Sequence, residues 1–220
     1  MKGNTVNTGY TYIVLLNWNG WRDTIACLES LCALEHRRTR IVVCDNDSSD
    51  GSLAKIKAWC RADIAAELPV DQRLRATMRT RQTPVPFATT TASAVAAGSA
   101  RPDGSPIILI DNEGNLGFAG GVNFGVSEAR APWVLILNAD TRVDIVALEA
   151  LLEGIAHHPG AAGLAPRMLG PKGEPQFAWQ LRSLPRPQEL WLHALLLPGS
   201  RAIEAEPPEA TPVQQPAAAA

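Results

Sequence analysis

The sequence predicts an α/β domain built on a mostly parallel central sheet, and three observations carry that prediction. Four short runs rich in Ile, Val and Leu are continuous rather than alternating, as strands covered on both faces are: Tyr12–Leu16, Ile41–Cys44, Ile107–Ile110 and Trp133–Leu137. Segments of helical periodicity lie between and after these runs. Each run ends in polar residues that suit a strand-to-helix connection.

The first strand, Tyr12–Leu16, is followed by Asn17-Trp18-Asn19-Gly20 and then by a helix expected from about Arg22 to Leu34. Ile25, Leu28, Leu31 and Cys32 share one face of it, and Asp23 stands near its positive end. The second strand, Ile41–Cys44, gives way to Asp45-Asn46-Asp47-Ser48, and a second helix is expected from about Leu53 to Ala65. The third, Ile107–Ile110, ends in Asp111-Asn112-Glu113-Gly114, ahead of a helix from about Gly120 to Arg130. The fourth, Trp133–Leu137, ends in Asn138-Ala139-Asp140-Thr141, and Asp144 precedes a helix from Ile145 to His157. Such alternation implies right-handed crossovers, so all four polar ends fall on one edge, where open α/β sheets bind ligands.

Other segments read differently. Residues 67–105 carry Pro69, Pro84, Pro86 and Pro102, a Thr/Ala/Ser/Gly tract, and Arg73, Arg75, Arg79 and Arg81; they are expected to form a surface insertion loop. Gly163–Met168 and Gln176–Leu181 are expected to pair around the turn Gly170-Pro171-Lys172-Gly173. The α/β domain is thus expected over residues 10–66 and 106–182, with a short helix within 183–199 and a disordered Pro/Ala tail over 200–220.

Bulk properties exclude more than they assign. With 46% hydrophobic and 19% charged residues in 220, disorder throughout is excluded. A net charge of −2 gives no global attraction to nucleic acid or anionic lipid, so no nucleic-acid partner is expected. Cys27, Cys32, Cys44 and Cys60 lack C-x-x-C spacing and are expected to be buried thiols in a reducing compartment. The N-terminus has no apolar core of a signal peptide, and no run reaches the roughly 18 apolar residues of a membrane span. A cytoplasmic protein is expected.

Two carboxylates stand out. Asp45 closes a buried strand, where it can accept a hydrogen bond from a base imide N–H or a ribose hydroxyl; Ser48, Ser49 and Asp50 then suit the start of the next helix. Asn138-Ala139-Asp140 has the offset of a D-x-D element with its first acid replaced by Asn. Mg²⁺ and Mn²⁺ bind through one or two protein oxygens and complete their shells with phosphate and water, so Asp140 is the expected metal ligand. The stretch Gly114–Asn123 places small residues where a helix begins, open to close approach by a phosphate or sugar. It also supports a rival, dinucleotide-binding reading, because Asp140 follows the last glycines by about 20 residues. The spacing, however, is G-x-x-G-x-x-G rather than G-x-G-x-x-G. A nucleotidyltransferase would want a glycine-rich, basic phosphate loop after the first strand, and Asn-Trp-Asn-Gly stands there instead.

In order, IVLLNWNG, IVVCDNDSSDGS, NEGNLGFAGGVNFGV and WVLILNADTRVD resemble the family 2 glycosyltransferases, specifically the bacterial rhamnosyltransferase-like branch. The resemblance spans Tyr12 to Asp144. It implies a GT-A-like nucleotide-binding sandwich and inverting transfer of a sugar from a dTDP-, UDP- or GDP-linked donor to a hydroxyl of a glycan or lipid-linked acceptor. The family pattern maps donor contacts onto Asn17, Asn19, Asp45, Asn115, Gly117, Asn123 and Asn138, and the metal onto Asp140. A lipid-linked acceptor would place the protein at the inner face of the membrane.

The pattern then breaks. Relatives of this branch continue into an acceptor-side segment whose Glu-Asp element supplies the base. No Glu-Asp pair follows Asp140 here, and Glu174 and Glu189 are isolated. The catalytic base is unassigned, and the chain is expected to be a donor-binding half, truncated on its acceptor side; a non-catalytic nucleotide-sugar-binding remnant is the alternative. Such a half would uncover apolar surface near Leu164, Phe177, Trp179 and Trp191, so self-association is expected.

Overall fold

The computed structural model describes residues 10–34, 38–67, 84–98, 104–129, 131–170 and 173–176, together with the backbone of 181–182 and 215–216. The chain divides into two compact units, Met1–Glu149 and Ala150–Ala220. The division falls inside a helix.

The first unit runs β1 (Thr11–Asn17), α1 (Trp21–Cys32), β2 (Thr39–Asp45), α2 (Ser52–Arg61), β3 (Phe87–Thr91), α3 (Ala92–Ala96), β4 (Ile107–Asp111), α4 (Gly117–Glu128) and β5 (Val134–Asn138), and α5 (Ala147–His157) starts within it. The five strands form one sheet in the order β3-β4-β2-β1-β5. Every pairing is parallel. The predicted α/β class with a parallel sheet is therefore what the chain forms.

Side-chain alternation splits the core between two faces. Ile13, Leu15, Ile41, Val43, Ile107 and Leu109 pack with Ile25, Leu28 and Leu31 of α1 and Ile56 and Trp59 of α2. Tyr12, Val14, Val42, Cys44, Ile108 and Ile110 pack on the other face with Val95 of α3 and Val122 of α4. Burial on both faces explains why these strands read as continuous apolar runs.

Three differences from expectation have identifiable causes. Part of the expected insertion loop is sheet: Phe87-Ala-Thr-Thr-Thr pairs with β4 as an edge strand, the β-branched threonines suiting a half-exposed pleat. The second helix stops at Arg61 rather than Ala65. Ala62 takes a left-handed conformation at φ +69°, and Asp63 N–H returns to the Ala58 carbonyl, closing the helix as a Schellman turn does. Cys32 is exposed, while Cys27, Cys44 and Cys60 are buried.

In the second unit, Leu169 bridges Pro175 across the turn that holds Gly173, near where the sequence places a strand pair. Gln215–Pro216, within the tail expected to be disordered, pairs antiparallel with Leu181–Arg182. Leu164 is exposed. The arginines at 73, 75, 79 and 81, the helix expected within 183–199, Glu189, Phe177, Trp179 and Trp191 lie outside the described residues. Among the described residues no helix is long and apolar enough to cross a membrane.

Candidate functional site

The strand-end residues singled out in the sequence are the last paired residues of their strands. Asn17 is the register partner of Asp45, Asp45 of Asp111, and Asp111 of Thr91, so four polar residues cross the sheet in one row at its carboxyl edge. Asn138 pairs one step back, with Leu16. Adjacent strands lie about 4.8 Å apart, which makes this row roughly 15 Å long.

The chain leaves three of these strands by the same turn. Asn19, Asp47 and Glu113 each stand two residues after a strand end and each has a positive φ, of +51°, +61° and +56°. Asn and Asp tolerate the left-handed region, whereas Glu does so at a cost. Glu113 is held by its own contacts: its N–H donates to Asp111 Oδ1 at 2.9 Å, and its Oε2 accepts from the Ser93 N–H at 2.7 Å. That second bond is the largest of the influences holding the Glu113 carboxyl below the usual carboxylate range.

Asn17 and Asp45 form the buried centre. Asn17 Nδ2 donates to Asp45 Oδ1 at 2.6 Å and to Ser48 Oγ at 3.0 Å, while Asn17 Oδ1 accepts from Thr24 Oγ1 at 2.6 Å. The Asn17 side chain is fully buried and hydrogen-bonded at both ends of its amide, which fixes the orientation of Asp45. Asp45 Oδ2 accepts from the Ser48 N–H at 3.1 Å. A carboxylate offers about four lone-pair sites, so capacity remains for a base or ribose donor. Asn19 Oδ1 accepts from the N–H groups of Ser49 and Asp50, which ties it to the turn ahead of α2.

The glycine segment divides in two. Gly121 and Gly125 press against the sheet: a Cβ on Gly121 would lie 2.5 Å from Leu16 Cδ1, and one on Gly125 would lie 2.5 Å from Val14 Cγ1. These two serve helix–sheet packing. A Cβ on Gly114 or Gly117 would meet nothing within 4 Å, and Gly117 needs its φ of +67°. Asn115 is exposed beside them, its Oδ1 accepting from the Gly117 N–H at 3.0 Å. Asn123 is not brought to the edge; it is exposed on α4 between the sheet-facing Gly121 and Gly125.

Asp140 is exposed in the turn after β5, with no protein partner for its carboxylate among the described residues. The segment that carries it is pinned from beneath, because the Val143 N–H donates 3.1 Å to Oγ of the fully buried Ser30 on α1. Arg142 reaches Asp23 at 3.9 Å, and its Nε is buried without a partner. Burial pushes the Cys27 thiol up to about 12, with Arg142 opposing the rise and Asp140 adding to it. Among the described residues no group of three His, Cys, Asp or Glu could hold a metal unaided. A lone unpaired carboxylate fits a hard ion that takes its other oxygens from a ligand and water, not a closed structural site.

The sequence does not single out Ser30, Asn46 or Asn112. Their parts come from contacts across long separations. The only local signal was their place beside a strand end or on a helix face.

Residues 89–209, more than half of the chain, match the sequence profile of glycosyl transferase family 2. The chain belongs to glycosyl transferase family 2. The family 2 match begins inside β3 and takes in the glycine segment, β5 and Asp140, while Asn17 and Asp45 precede it. No curated protein matches this family 2 chain in sequence. Among solved structures it is similar to S. aureus TarS 1-349 in complex with UDP, at 14% identity and a TM-score of 0.43 over 68% of this chain and 33% of that one. It is also similar to the mannosyltransferase PcManGT from Pyrobaculum calidifontis in complex with GDP-Man and Mn²⁺, at 12% identity and a TM-score of 0.44 over 82% of this chain and 37% of that one. The chain spans about a third of the length of these structures.

Proposed function

We propose that this family 2 chain binds a nucleotide-diphosphate sugar along its carboxyl sheet edge, with a divalent cation at Asp140, for transfer of the sugar to an acceptor hydroxyl. The observation that carries the reading is the in-register row Asn17–Asp45–Asp111 on the edge that also bears the unpaired Asp140. Asp45, oriented by Asn17 and the Ser48 N–H, accepts from the nucleoside. The open backbone at Gly114 and Gly117 lets the sugar or diphosphate approach closely, with Asn115 beside it. Asn138 and Asp140 close the far end, at the diphosphate. Mg²⁺ or Mn²⁺, when bound, would stabilise the charge that develops on the leaving diphosphate.

In this reading the protein belongs to the rhamnosyltransferase-like branch, inverts the anomeric centre, and works in the cytoplasm on a glycan or lipid-linked acceptor at the inner membrane face. The reading assigns no catalytic base. Donor binding is its testable core.

The glycine geometry disfavours dinucleotide binding. That fold uses its glycines directly after a strand to admit a pyrophosphate, whereas here five residues separate β4 from α4 and the two closest glycine contacts are with the sheet. A thermal-shift panel of UDP-, dTDP- and GDP-sugars against NAD separates the two. Stabilisation by a sugar nucleotide supports the proposal, and stabilisation by NAD alone overturns it.

A further inference from the structure

The donor-side loop is held from its inner side by one residue that the reading above does not use. Asn46 is the first residue after β2 and is buried. Its Nδ2 donates to Asn115 Oδ1 at 2.8 Å, and its Oδ1 accepts from the Leu116 N–H at 3.1 Å and from Asn112 Nδ2 at 3.3 Å. One carboxamide thus joins the ends of β2 and β4 to the loop that opens α4. Close approach at Gly121 makes this contact available, since a Cβ there would lie 2.9 Å from both Asn46 Oδ1 and Asn112 Nδ2. The outer side of the loop is open at Gly114 and Gly117. Held within and open without, the loop has the form of a preorganised ligand contact.

We propose that Asn46 is a positioning residue that clasps the loop 114–117 to β2 and sets where Asn115 and Gly117 stand for the nucleotide sugar. The proposal rests on the donor-binding reading. Asn46 acts at one remove: it fixes Asn115 Oδ1 and the Leu116 amide, and those fix the loop backbone. Both ends of its amide are used, so a carboxylate cannot replace it. Asn46→Asp keeps an acceptor for the Leu116 N–H but turns an oxygen toward Asn115 Oδ1.

The test is nucleotide affinity by calorimetry in the presence of Mn²⁺, on the full chain, with UDP, dTDP and GDP as probes. Asn46→Asp is compared with Val42→Ala, a fully buried core change on β2 remote from the loop. Asn46→Asp should weaken the Kd of the bound nucleotide by at least about tenfold, as loss of supporting contacts does at preorganised sites. Val42→Ala should lower Tm yet leave Kd within about twofold. Equal Kd values for wild type and Asn46→Asp, or equal losses in the two variants, overturn the clasp and leave donor binding intact. If the wild type binds none of the three nucleotides, the donor reading itself fails and the clasp falls with it.

Discussion

Asn17 and Asp45 are register partners at the ends of β1 and β2, and they are also joined side chain to side chain by a 2.6 Å hydrogen bond with both residues buried. The sheet therefore sets not only the position of the Asp45 carboxylate but its orientation. A hydrogen bond to a charged group contributes about 1.5–3 kcal/mol, and its loss leaves Thr24 Oγ1 without its acceptor as well. Asn17→Ala should lower the unfolding free energy by about 2–3 kcal/mol in urea titrations, with little change in m. Asn17→Asp sets two buried carboxylates face to face and should cost more at neutral pH. A loss below about 0.5 kcal/mol for both would show that this pair orients nothing.

The glycine segment gives a contrast within one loop and helix. Gly121→Ala places a methyl 2.5 Å from Leu16 Cδ1 and 2.9 Å from the Asn46 and Asn112 side chains, and should cost about 1–3 kcal/mol as overpacking does. Gly114→Ala meets nothing within 4 Å and should leave stability unchanged or raise it by about 0.4–1 kcal/mol. Paired denaturation curves check both, and the ordering matters more than either magnitude.

Burial pushes Cys27 and Cys44 up to about 12 from an ordinary value of 9.0. The folded state keeps these protons where the unfolded chain gives them up. The stability they contribute is therefore full below about pH 9 and is lost as pH rises toward 12. Stability should fall with alkaline pH across that window, and Cys44→Ala, compared with wild type at each pH, should flatten the fall. At pH 8, native alkylation should label the exposed Cys32 first and reach Cys27, Cys44 and Cys60 only on unfolding. Equal labelling of all four in the native protein would contradict the buried placement.

How much of this was legible in the sequence depends on whether a residue acts locally or across the fold. β1, β2 and β4 are legible because burial on both faces leaves an unbroken apolar run, and the polar strand ends are legible because parallel strands share an edge; β5 shows the same run although it is an edge strand, half-buried, with Ile136 exposed. β3 is not legible, since Phe87-Ala-Thr-Thr-Thr on a sheet edge carries one large apolar residue and follows Pro84 and Pro86. The family resemblance maps a donor contact onto Asn17; that it also orients Asp45 follows from Thr24, Asp45 and Ser48 meeting it, which no spacing announces. Asn46 is hidden for the same reason, its partners lying 66–70 residues away. The family resemblance maps Asn123 among the donor contacts, and no local pattern tells the packing glycines around it from those open to a ligand. Once Gly121 and Gly125 are seen as packing glycines, four residues apart on the sheet side, Asn123 faces outward.

The central claim is that Asp140 holds a divalent cation for a nucleotide-sugar diphosphate, and thermal unfolding of wild type and Asp140→Asn, with and without Mn²⁺, in UDP-, dTDP- and GDP-sugars tests it most directly. For the matching donor at about 100 times its Kd, wild type with Mn²⁺ should gain roughly 2.7 kcal/mol. Asp140→Asn should lose the Mn²⁺-dependent part of that gain while keeping its Tm without ligand. An Mn²⁺-dependent gain that is unchanged in Asp140→Asn would contradict the claim.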